Sequence, residues 1–392
     1  MNKVVISGNK YAFFFEKIED DDKREKGIVM QVKPGNSSNT TPLVDRGLVH
    51  KSNPENVFIE EPSRIGAREF RALAHFPVHH GTYNDTLTGL SASGYLIEVA
   101  RQKVIALSHK FFDIPLDAGF IISVIDWHFS RPTPFVVEHP GPFELFTSVR
   151  ETAERGDGKM KCATRTRFVG RHGEFLTGES AFLTVSRNMT SRTKRSSDTP
   201  TIPVHPPTAE EVQVRSPHNV LIGLDPEDED VRVQDLRNVL IGLAPAEQRE
   251  EAEITSFFMI VDRNHPYFFE HENTHVPGMM LLEAGKQAAV FSARRRYPAL
   301  EGSYGDLRRG EIRFSRFADP KRPIRIACSC DSPTPAEEAF RTHVVVSFKQ
   351  GKREIGRIEG ELSFVDAAEA VGRSALVGEQ ANLPPAEGKA NG

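Results

Sequence analysis

The stretch HPYFFEHENTHVPGMMLLEAGKQ, residues 265–287, is the most informative part of the sequence about the fold. Its first half is rich in aromatic residues and histidines and has no helical period, and Pro277-Gly278 then offers a start for a helix. The apolar pattern over 279–296 has the length and period of one long helix, which stops before Pro298. We therefore expect a histidine-bearing loop that leads into an apolar helix with a glutamate, Glu283, in its first half.

The same order of features occurs earlier in the chain. The helix motif LLEAGKQ at 281–287 has a counterpart in LIEVARQ at 96–102, and a stretch with histidines precedes both. Aligning His79 with His271 leaves more residues before the glutamate in the first copy, so we expect an extra loop there. The matches indicate an internal repeat.

A shorter segment is also duplicated. NVFI at 56–59 aligns with NVLI at 238–241, and the segment NVLIGL occurs at 219–224 and again at 238–243. We assign the later copy to the second repeat and interpret the earlier one as spare.

Each repeat has one long helix followed by four strand patterns. The first helix is expected over 90–109. The strands are expected at 119–127, 143–151, 160–168 and 179–185 in the first repeat and at 311–317, 324–330, 342–349 and 354–364 in the second. Turns such as the one at 155–158 suit antiparallel hairpins. The pattern predicts an α+β fold in which a sheet wraps around a central helix, twice in tandem.

The length of 392 residues and the composition predict two domains with flexible terminal segments. We expect a flexible N-terminal arm at 1–45, a first domain at 46–186, a linker at 187–211, a second domain at 212–366 and a disordered tail at 367–392.

Composition also excludes several classes of function. A formal net charge of −4 gives no electrostatic case for binding nucleic acid. The sequence contains neither a membrane-length apolar run nor a secretory signal pattern, and three cysteines cannot build a disulfide framework. We expect a cytoplasmic protein without a membrane span.

One metal motif occurs and is rejected. Residues 271–275 read H-E-x-x-H, which binds zinc when both histidines lie on one helix. Here the motif is followed at once by Val276 and Pro277, and it is expected to lie in a loop. No metal site and no cofactor are predicted.

The quoted stretch resembles the hotdog dehydratases of fatty-acid synthesis at FFxH, residues 268–271, and at PGMMLLEA, residues 277–284. With two such blocks, HVPGM before the second helix and the repeated E-x-x-(R/K)-Q, the chain from 46 to 366 resembles the AfsA-type, A-factor biosynthesis hotdog family. The resemblance implies a tandem double hotdog whose two blocks pair as a pseudo-dimer within the chain, and a homo-oligomer is open.

The resemblance also implies a reaction. A β-ketoacyl group would pass from acyl carrier protein to the hydroxyl of dihydroxyacetone phosphate, and ring closure would give a phosphorylated butenolide, a precursor of γ-butyrolactone signals. Acyl carrier protein and dihydroxyacetone phosphate are thus the expected partners.

Seven residues are candidates for this chemistry. A hydroxyl that attacks a thioester needs a general base, and Glu283, His271 and Glu98 are the catalytic candidates. Backbone N–H groups at the helix start, 278–280, suit a developing oxyanion. The substrate-binding candidates are Arg101 and Lys286, as cations for a phosphate, together with His275 and His80. Lys286 departs from the arginine that the family usually has.

Other interpretations stay open. The pairs Glu98–Arg101 and Glu283–Lys286 are three residues apart and could be simple helix ion pairs. The chain could instead be a dehydratase or thioesterase, which needs no phosphate site. It could also be a non-catalytic acyl-binding module, in which case Glu283 would be buried without an open tunnel.

Overall fold

The computed structural model describes residues 4–8, 11–16, 29–32, 42–77, 80–83, 92–130, 142–155, 159–171, 173–185, 206–208, 211–213, 220–224, 254–270, 274–336 and 339–366. The chain forms two compact units, Met1–Pro42 and Leu43–Gly392. Most of the predicted linker at 187–211 and the whole predicted tail at 367–392 lie outside the described residues.

The N-terminal unit contains three antiparallel strands. They are β1 (Val4–Gly8), β2 (Tyr11–Glu16) and β3 (Val29–Val32), paired in that order. These strands differ from the loosely ordered arm that we expected over 1–45. Three consecutive aromatic residues, Phe13 to Phe15, form the centre of β2, and aromatic residues favour strands.

In its described residues, the first half of the larger unit contains one long helix and a six-stranded antiparallel sheet. Its elements are β4 (Ser63–Arg64), β5 (Glu69–Ala74), α1 (Ala92–Phe111), β6 (Gly119–Phe129), β7 (Phe143–Arg155), β8 (Lys159–Gly170) and β9 (Gly173–Val185). The strands lie in the order β4-β5-β7-β8-β9-β6. The predicted helix and the four strands after it are confirmed.

The second half repeats this arrangement. Its elements are β10 (Ile222–Leu224), β11 (Thr255–Met259), α2 (Gly278–Arg296), β12 (Ser303–Phe314), β13 (Arg325–Cys330), β14 (Thr334–Ala336), β15 (Ala339–Gln350) and β16 (Arg353–Asp366). The order β10-β11-β13-β15-β16-β12 mirrors that of the first half, and β14 pairs with β15. The second helix and the last three of its four predicted strands are where the sequence predicts them, whereas the strand expected at 311–317 runs from Ser303 to Phe314.

The assignment of the duplicated segment was wrong. Residues 222–224, from the copy that we took as spare, form β10 and pair with β11. Gln287 of α2 accepts a hydrogen bond from the Leu221 backbone N–H at 2.7 Å, as Gln102 of α1 accepts one from the Phe58 N–H at 3.0 Å. Leu221 therefore takes the place of Phe58, while the copy at 238–243 lies outside the described residues.

Each central helix is buried because half of the sheet packs against it. In α2, the side chains from Met279 to Ala293 are buried apart from the partly exposed Glu283. A helix that is apolar on most faces requires this surrounding. Its small residues allow close approach: a Cβ atom added at Gly285 would lie 2.9 Å from the Phe348 ring. No helix in the described ranges is both long and apolar enough to span a membrane.

The two halves share one sheet through the antiparallel pair β6–β12, in which Ile125 lies opposite Ile312. The Trp127 indole N–H donates to the Leu307 carbonyl at 3.2 Å, and its ring packs on Gly310, where a Cβ atom would approach it to 2.8 Å. The halves thus form a pseudo-dimer within the chain.

A buried carboxylate also joins the halves. Asp306 of β12 accepts hydrogen bonds from the Ser93 N–H at 3.1 Å and the Ser93 hydroxyl at 2.5 Å, at the start of α1. It also accepts from the Leu307 N–H at 2.8 Å. The second half therefore caps the helix of the first.

We expect Asp306→Ala to lower the free energy of unfolding by about 1–3 kcal/mol, because buried donors at the start of α1 lose their acceptor. Asp331→Ala, which removes an exposed carboxylate 3.7 Å from His343, is the control and should cost less than about 1 kcal/mol. Urea denaturation measures both. Equal costs for the two variants would contradict the capping role.

Candidate active site

The centre of the site is Glu98, whose side chain has no solvent exposure. Arg101 binds it through two nitrogens, with Nε at 2.6 Å from Oε2 and Nη2 at 2.8 Å from Oε1. Gln102 donates to the same carboxylate at 3.0 Å, and Lys51 Nζ lies 3.3 Å from it. Burial alone would raise the pKa of Glu98, but the positive charges of Arg101 and Lys51 outweigh it and lower the pKa to about 2.

Lys51 connects this carboxylate with the second half of the chain. Its ammonium lies 3.5 Å from Glu270 Oε1 and 4.1 Å from the centre of the Tyr267 ring. Glu270 in turn accepts from the Ser52 N–H at 2.8 Å and from the Asn56 side-chain amide. The loop that follows β11 is thereby fixed to residues 51–56, which precede α1.

His80 belongs to the same network. Its Nδ1 accepts from the backbone N–H groups of Thr82 and Tyr83, both at 3.1 Å, so the proton of the neutral ring is on Nε2. Nε2 therefore donates to Asn56 Oδ1 at 2.8 Å. Burial and the charge of Lys51 lower the pKa of His80 to about 4, and the ring is neutral at pH 7.

Two buried tyrosines form a hydrogen-bonded pair in the electrostatic field of Glu98. The hydroxyls of Tyr83 and Tyr267 are 2.5 Å apart. Burial raises the pKa of Tyr83 far above its usual value, and the charges of Glu98 and, more weakly, Glu283 raise it further. Since both carboxylates act on one hydroxyl, and α1 touches α2, the two candidate sites form one cluster.

Glu283 has a more open environment than Glu98. It lies 2.8 Å from Lys286 Nζ and accepts from the Gln287 amide at 3.2 Å, and 12% of its side chain is exposed. Helix α2 begins nearby at Gly278, and its N-cap, Pro277, provides no side-chain hydrogen bond. The backbone N–H of Met280 donates to the Pro277 carbonyl at 3.0 Å. This N–H, one of the donors suggested for an oxyanion, therefore already has an acceptor within the helix.

The structure brings together five of the seven predicted residues. They are Glu98, Arg101, His80, Glu283 and Lys286. His275 lies in the loop before α2, with its ring centre 4.5 Å from that of Phe317. His271 and also His79 lie outside the described residues.

Of the H-E-x-x-H motif at 271–275, the structure describes Thr274 and His275, which precede the helix that begins at Gly278. In the ranges that the structure describes, no group of three histidine, cysteine or carboxylate side chains is placed to hold a metal ion.

The histidine that corresponds to His80 is His265, and our alignment of His79 with His271 was wrong. His80 lies as many residues after Ala74, the end of β5, as His265 lies after Met259, the end of β11. His265 Nδ1 accepts from the N–H groups of Tyr267 and Phe268 at 3.3 and 3.4 Å, the pattern seen at His80. With this alignment the spacing to the glutamate is the same in both repeats, so no extra loop exists in the first.

Sequence reasoning missed several members of the cluster: Lys51, Asn56, Tyr83, His265, Tyr267 and Glu270. In both repeats a histidine is followed three residues later by an aromatic residue: His80 by Tyr83, and His265 by Phe268. This recurring pattern could have revealed Tyr83 and His265. Lys51 and Glu270 belong to no pattern, because they lie in irregular segments that only the fold brings together.

Two central helices wrapped by one antiparallel sheet, with ionised groups where the helices meet, define a tandem double hotdog protein. The family model of the A-factor biosynthesis hotdog domain, AfsA, matches residues 33–176 and 230–366. The chain belongs to this family. The second matched range begins after β10, so it includes the copy of the duplicated segment at 238–243 and omits the copy that forms β10.

Similar proteins carry the name 2-oxo-3-(phosphooxy)propyl 3-oxoalkanoate synthase. The one from Streptomyces griseus is 26% identical over 258 residues, which is 63% of this chain and 74% of the relative. The one from Streptomyces coelicolor is 25% identical over 320 residues, or 79% of this chain and 89% of the relative.

Solved structures of other hotdog proteins are more distant. Acyl-CoA thioesterase II TesB2 from Mycobacterium marinum is 12% identical, with a TM-score of 0.41, and the match covers 79% of this chain and 95% of that one. The dehydratase domain of RzxB from Pseudomonas fluorescens is 13% identical, with a TM-score of 0.40 and coverage of 79% and 98%.

The neutral His80 makes stability depend on pH. Its pKa is about 4 in the folded chain and 6.5 when unperturbed, so between these values the unfolded chain binds the proton and the folded chain does not. The free energy of unfolding therefore falls as the pH falls from about 6.5 to about 4. His80→Asn keeps an acceptor for the two backbone N–H groups but removes the titration.

We expect the slope of the free energy of unfolding against pH to be smaller in this variant by the equivalent of about one proton. Denaturation by urea at a series of pH values measures the slope. A slope equal to that of the unsubstituted protein would contradict a buried, neutral His80.

Proposed function

We propose that this chain is an acyltransferase of the AfsA type, which moves a β-ketoacyl group from acyl carrier protein to the hydroxyl of dihydroxyacetone phosphate. Family membership supports the reaction class. The product named in the relatives, a 2-oxo-3-(phosphooxy)propyl 3-oxoalkanoate, is the ester of a β-keto acid with that phosphorylated alcohol. Ring closure of the ester would give the phosphorylated butenolide.

The observation that carries the assignment of roles is the difference between the two repeated glutamates. Glu98 is fully buried, has three polar partners and has a lowered pKa, so it is a weak base. Glu283 is partly exposed and has one lysine and one amide beside it. We therefore assign Glu283 as the general base and Glu98 as a positioning residue that holds Arg101 and Lys51.

In this mechanism Glu283 removes the proton of the acceptor hydroxyl while the hydroxyl oxygen attacks the thioester carbon. The new C–O bond forms, the C–S bond breaks, and the proton passes to the departing thiolate. The developing oxyanion is stabilised by N–H groups at the start of α2, where the N-cap residue Pro277 provides no side-chain acceptor. The start of α1 cannot serve in this way, since Asp306 places a carboxylate there.

Two cations suit the acceptor phosphate. Arg101 uses Nε and Nη2 for Glu98, which leaves Nη1 for an oxygen of the phosphate. Lys286 adds a point charge on the other helix. A dehydratase or a thioesterase would need neither cation. The roles of His271 and His275 at the acyl thioester stay predictions.

We expect Glu283→Gln to lower the rate of ester formation by about 10²–10⁴-fold, the usual contribution of a general base. Mass spectrometry of the protein incubated with a β-ketoacyl carrier-protein thioester and dihydroxyacetone phosphate measures the product. Glu359→Gln, at an exposed glutamate of the same half, is the control and should leave the rate unchanged.

Loss of thioester without an acyl ester of the acceptor would overturn the transferase assignment in favour of a thioesterase. Ester formation by Glu283→Gln at the unsubstituted rate would instead remove Glu283 from the chemistry while leaving the transfer intact.

A second expectation concerns the phosphate. In Lys286→Met the preference for dihydroxyacetone phosphate over dihydroxyacetone should fall by about 10–100-fold, because a hydrogen bond to a charged group is lost. Lys286→Arg should keep most of the preference, because it keeps the positive charge. The measurement is the ratio of kcat/KM for the two acceptors. If the substitution also disturbs Glu283, the reaction of both acceptors is slowed and the ratio is unaffected. An unchanged ratio in Lys286→Met would contradict a phosphate role.

A further inference from the structure

One end of the second-half sheet is strongly basic. Residues 313–325 connect the end of β12 with the start of β13, and residues 349–357 form the hairpin between β15 and β16. Together they contain nine lysines and arginines, all exposed, and two acidic residues, Asp319 and Glu354. Their formal charge is +7, although that of the whole chain is −4. We refer to these two segments as the basic end.

The two segments of the basic end form one surface. The Gln350 side-chain amide, at the end of β15, donates to the carbonyls of Asp319 at 2.9 Å and of Arg322 at 3.0 Å. The Asp319 N–H donates to the side-chain oxygen of Gln350 at 3.0 Å. A Cβ atom added at Gly351 would lie 3.8 Å from Arg322 Nη2, so this guanidinium is close to the turn of the hairpin.

Four of the cations face outward from adjacent strands. Arg325 of β13 lies opposite Lys349 of β15, and Arg313 of β12 lies opposite Arg357 of β16. The residues that alternate with them along these strands are fully buried. Like charges at opposite positions of paired strands repel each other. An anionic partner that covers this face is therefore favoured.

The basic end touches the start of α2. The ring centre of Phe317, which is 41% exposed, lies 4.5 Å from that of His275. A Cβ atom added at Gly278 would lie 3.0 Å from the Phe314 ring. Glu283 is five residues further along the helix, which is about 8 Å along its axis. A donor that is delivered at the basic end thus has a short path to the proposed base.

A row of carboxylates bounds the basic end. Glu359, Glu311, Asp126 and Glu179 lie opposite one another on four adjacent strands, two residues along β12 from Arg313. Burial and the charges of Glu179 and Glu311 raise the pKa of Asp126, as a negative field requires. A long polyanion such as nucleic acid would extend onto this row, whereas a compact acidic protein fits within the basic end.

The described residues at the equivalent end of the first half carry no net charge. The equivalent places are the end of β6, the start of β7 and the hairpin between β8 and β9. The described residues there are 128–130, 142–143, 169–171 and 173–177. Among them the lysine, arginine, aspartate and glutamate residues are Arg171 and Glu174, whose charges cancel. The two repeats therefore differ in this surface as well as at their glutamates.

We propose that the basic end is the docking surface for the acyl carrier protein, through an acidic face of the carrier, and that the carrier docks on the second half alone. The proposal rests on the acyl transfer proposed above. One docking surface beside the start of α2 supplies one acyl donor per chain and presents its thioester to Glu283. Glu98, in the first half, then needs no donor of its own, in agreement with a positioning role.

The test measures binding of the carrier without any transfer. Holo acyl carrier protein, which has the phosphopantetheine arm and no acyl group, is titrated into the protein by isothermal titration calorimetry at low and at high salt. Two variants reverse charges of the basic end at exposed positions. One combines Arg316→Glu with Arg322→Glu, and the other combines Lys352→Glu with Arg353→Glu. Thermal unfolding confirms that each variant folds, and either one alone suffices.

The matched control makes the same change of charge in the first half. It combines Arg167→Glu with Arg171→Glu, at exposed arginines of β8 and the turn that follows it. Since the net charge of the protein changes equally in all three variants, a difference between them reports the place of docking.

Each basic-end variant should weaken carrier binding at low salt by about 10-fold or more, and the control should stay within about 2-fold of the unsubstituted protein. Binding by the unsubstituted protein should weaken as salt rises, because exposed charges are screened, and this dependence should be smaller in the basic-end variants. An absence of carrier binding, an unchanged affinity in both basic-end variants, or an equal loss in the control would overturn the proposal.

Other anionic partners are outcomes of the same test. A DNA duplex and vesicles of phosphatidylglycerol are titrated in place of the carrier. Tighter binding of either one than of the carrier, if the basic-end variants abolish it, would overturn the proposal and assign the basic end to nucleic acid or to a membrane surface.

This outcome is separable from that of the transfer itself. Carrier binding that the basic-end variants abolish, without any ester from the β-ketoacyl carrier thioester and dihydroxyacetone phosphate, would retain the docking surface and remove the proposed reaction. Where ester forms, kcat/KM for the carrier-bound donor, relative to that for the same acyl group on pantetheine, should fall by about 10-fold or more in the basic-end variants. An unchanged ratio would retain the reaction and overturn the docking surface.

Discussion

A fully buried carboxylate, Glu98, is the constraint on which the candidate site depends. An unpaired charge in that position would cost several kcal/mol, so the chain must supply compensating groups from elsewhere. Arg101 and Gln102 come from the next turn of the same helix, whereas Lys51 comes from an irregular segment. Because Lys51 also pairs with Glu270, the compensation of one charge in the first half fixes a loop of the second.

The two repeats share the fold and differ in the surroundings of their glutamates. Both helices carry glutamate, a cation and glutamine at the same spacing, and both glutamines bond to the strand-like segment beside them. The first repeat buries its glutamate and receives a cap from Asp306, while the second leaves its glutamate partly exposed and has at its helix start Pro277, which provides no side-chain hydrogen bond. A bidentate arginine suits the buried carboxylate, and a lysine on the more open side leaves Glu283 less tightly held.

The regular part of this fold could be predicted from local sequence, and the connections could not. Helix α2 was predictable because Pro277-Gly278 precedes a period that ends before Pro298, and the strands because of alternation and hairpin turns. Identical copies at 219–224 and 238–243 have the same local preference, so only the partners Gln287 and β11 distinguish them. The match of His80 with His265 likewise rests on hydrogen bonds to backbone N–H groups, which composition does not reveal.

The shared sheet gives a reason for keeping both repeats in one chain. If Glu283 is the base and Arg101 binds the acceptor phosphate, neither half contains a complete site. The β6–β12 pair sets the distance between the helices, and the Trp127 indole and Asp306 fix it by bonds that cross from one half to the other. Two unlike halves joined covalently always meet in the productive combination. Separate subunits would also form pairs of like halves, in which both glutamates are fully buried or both are partly exposed.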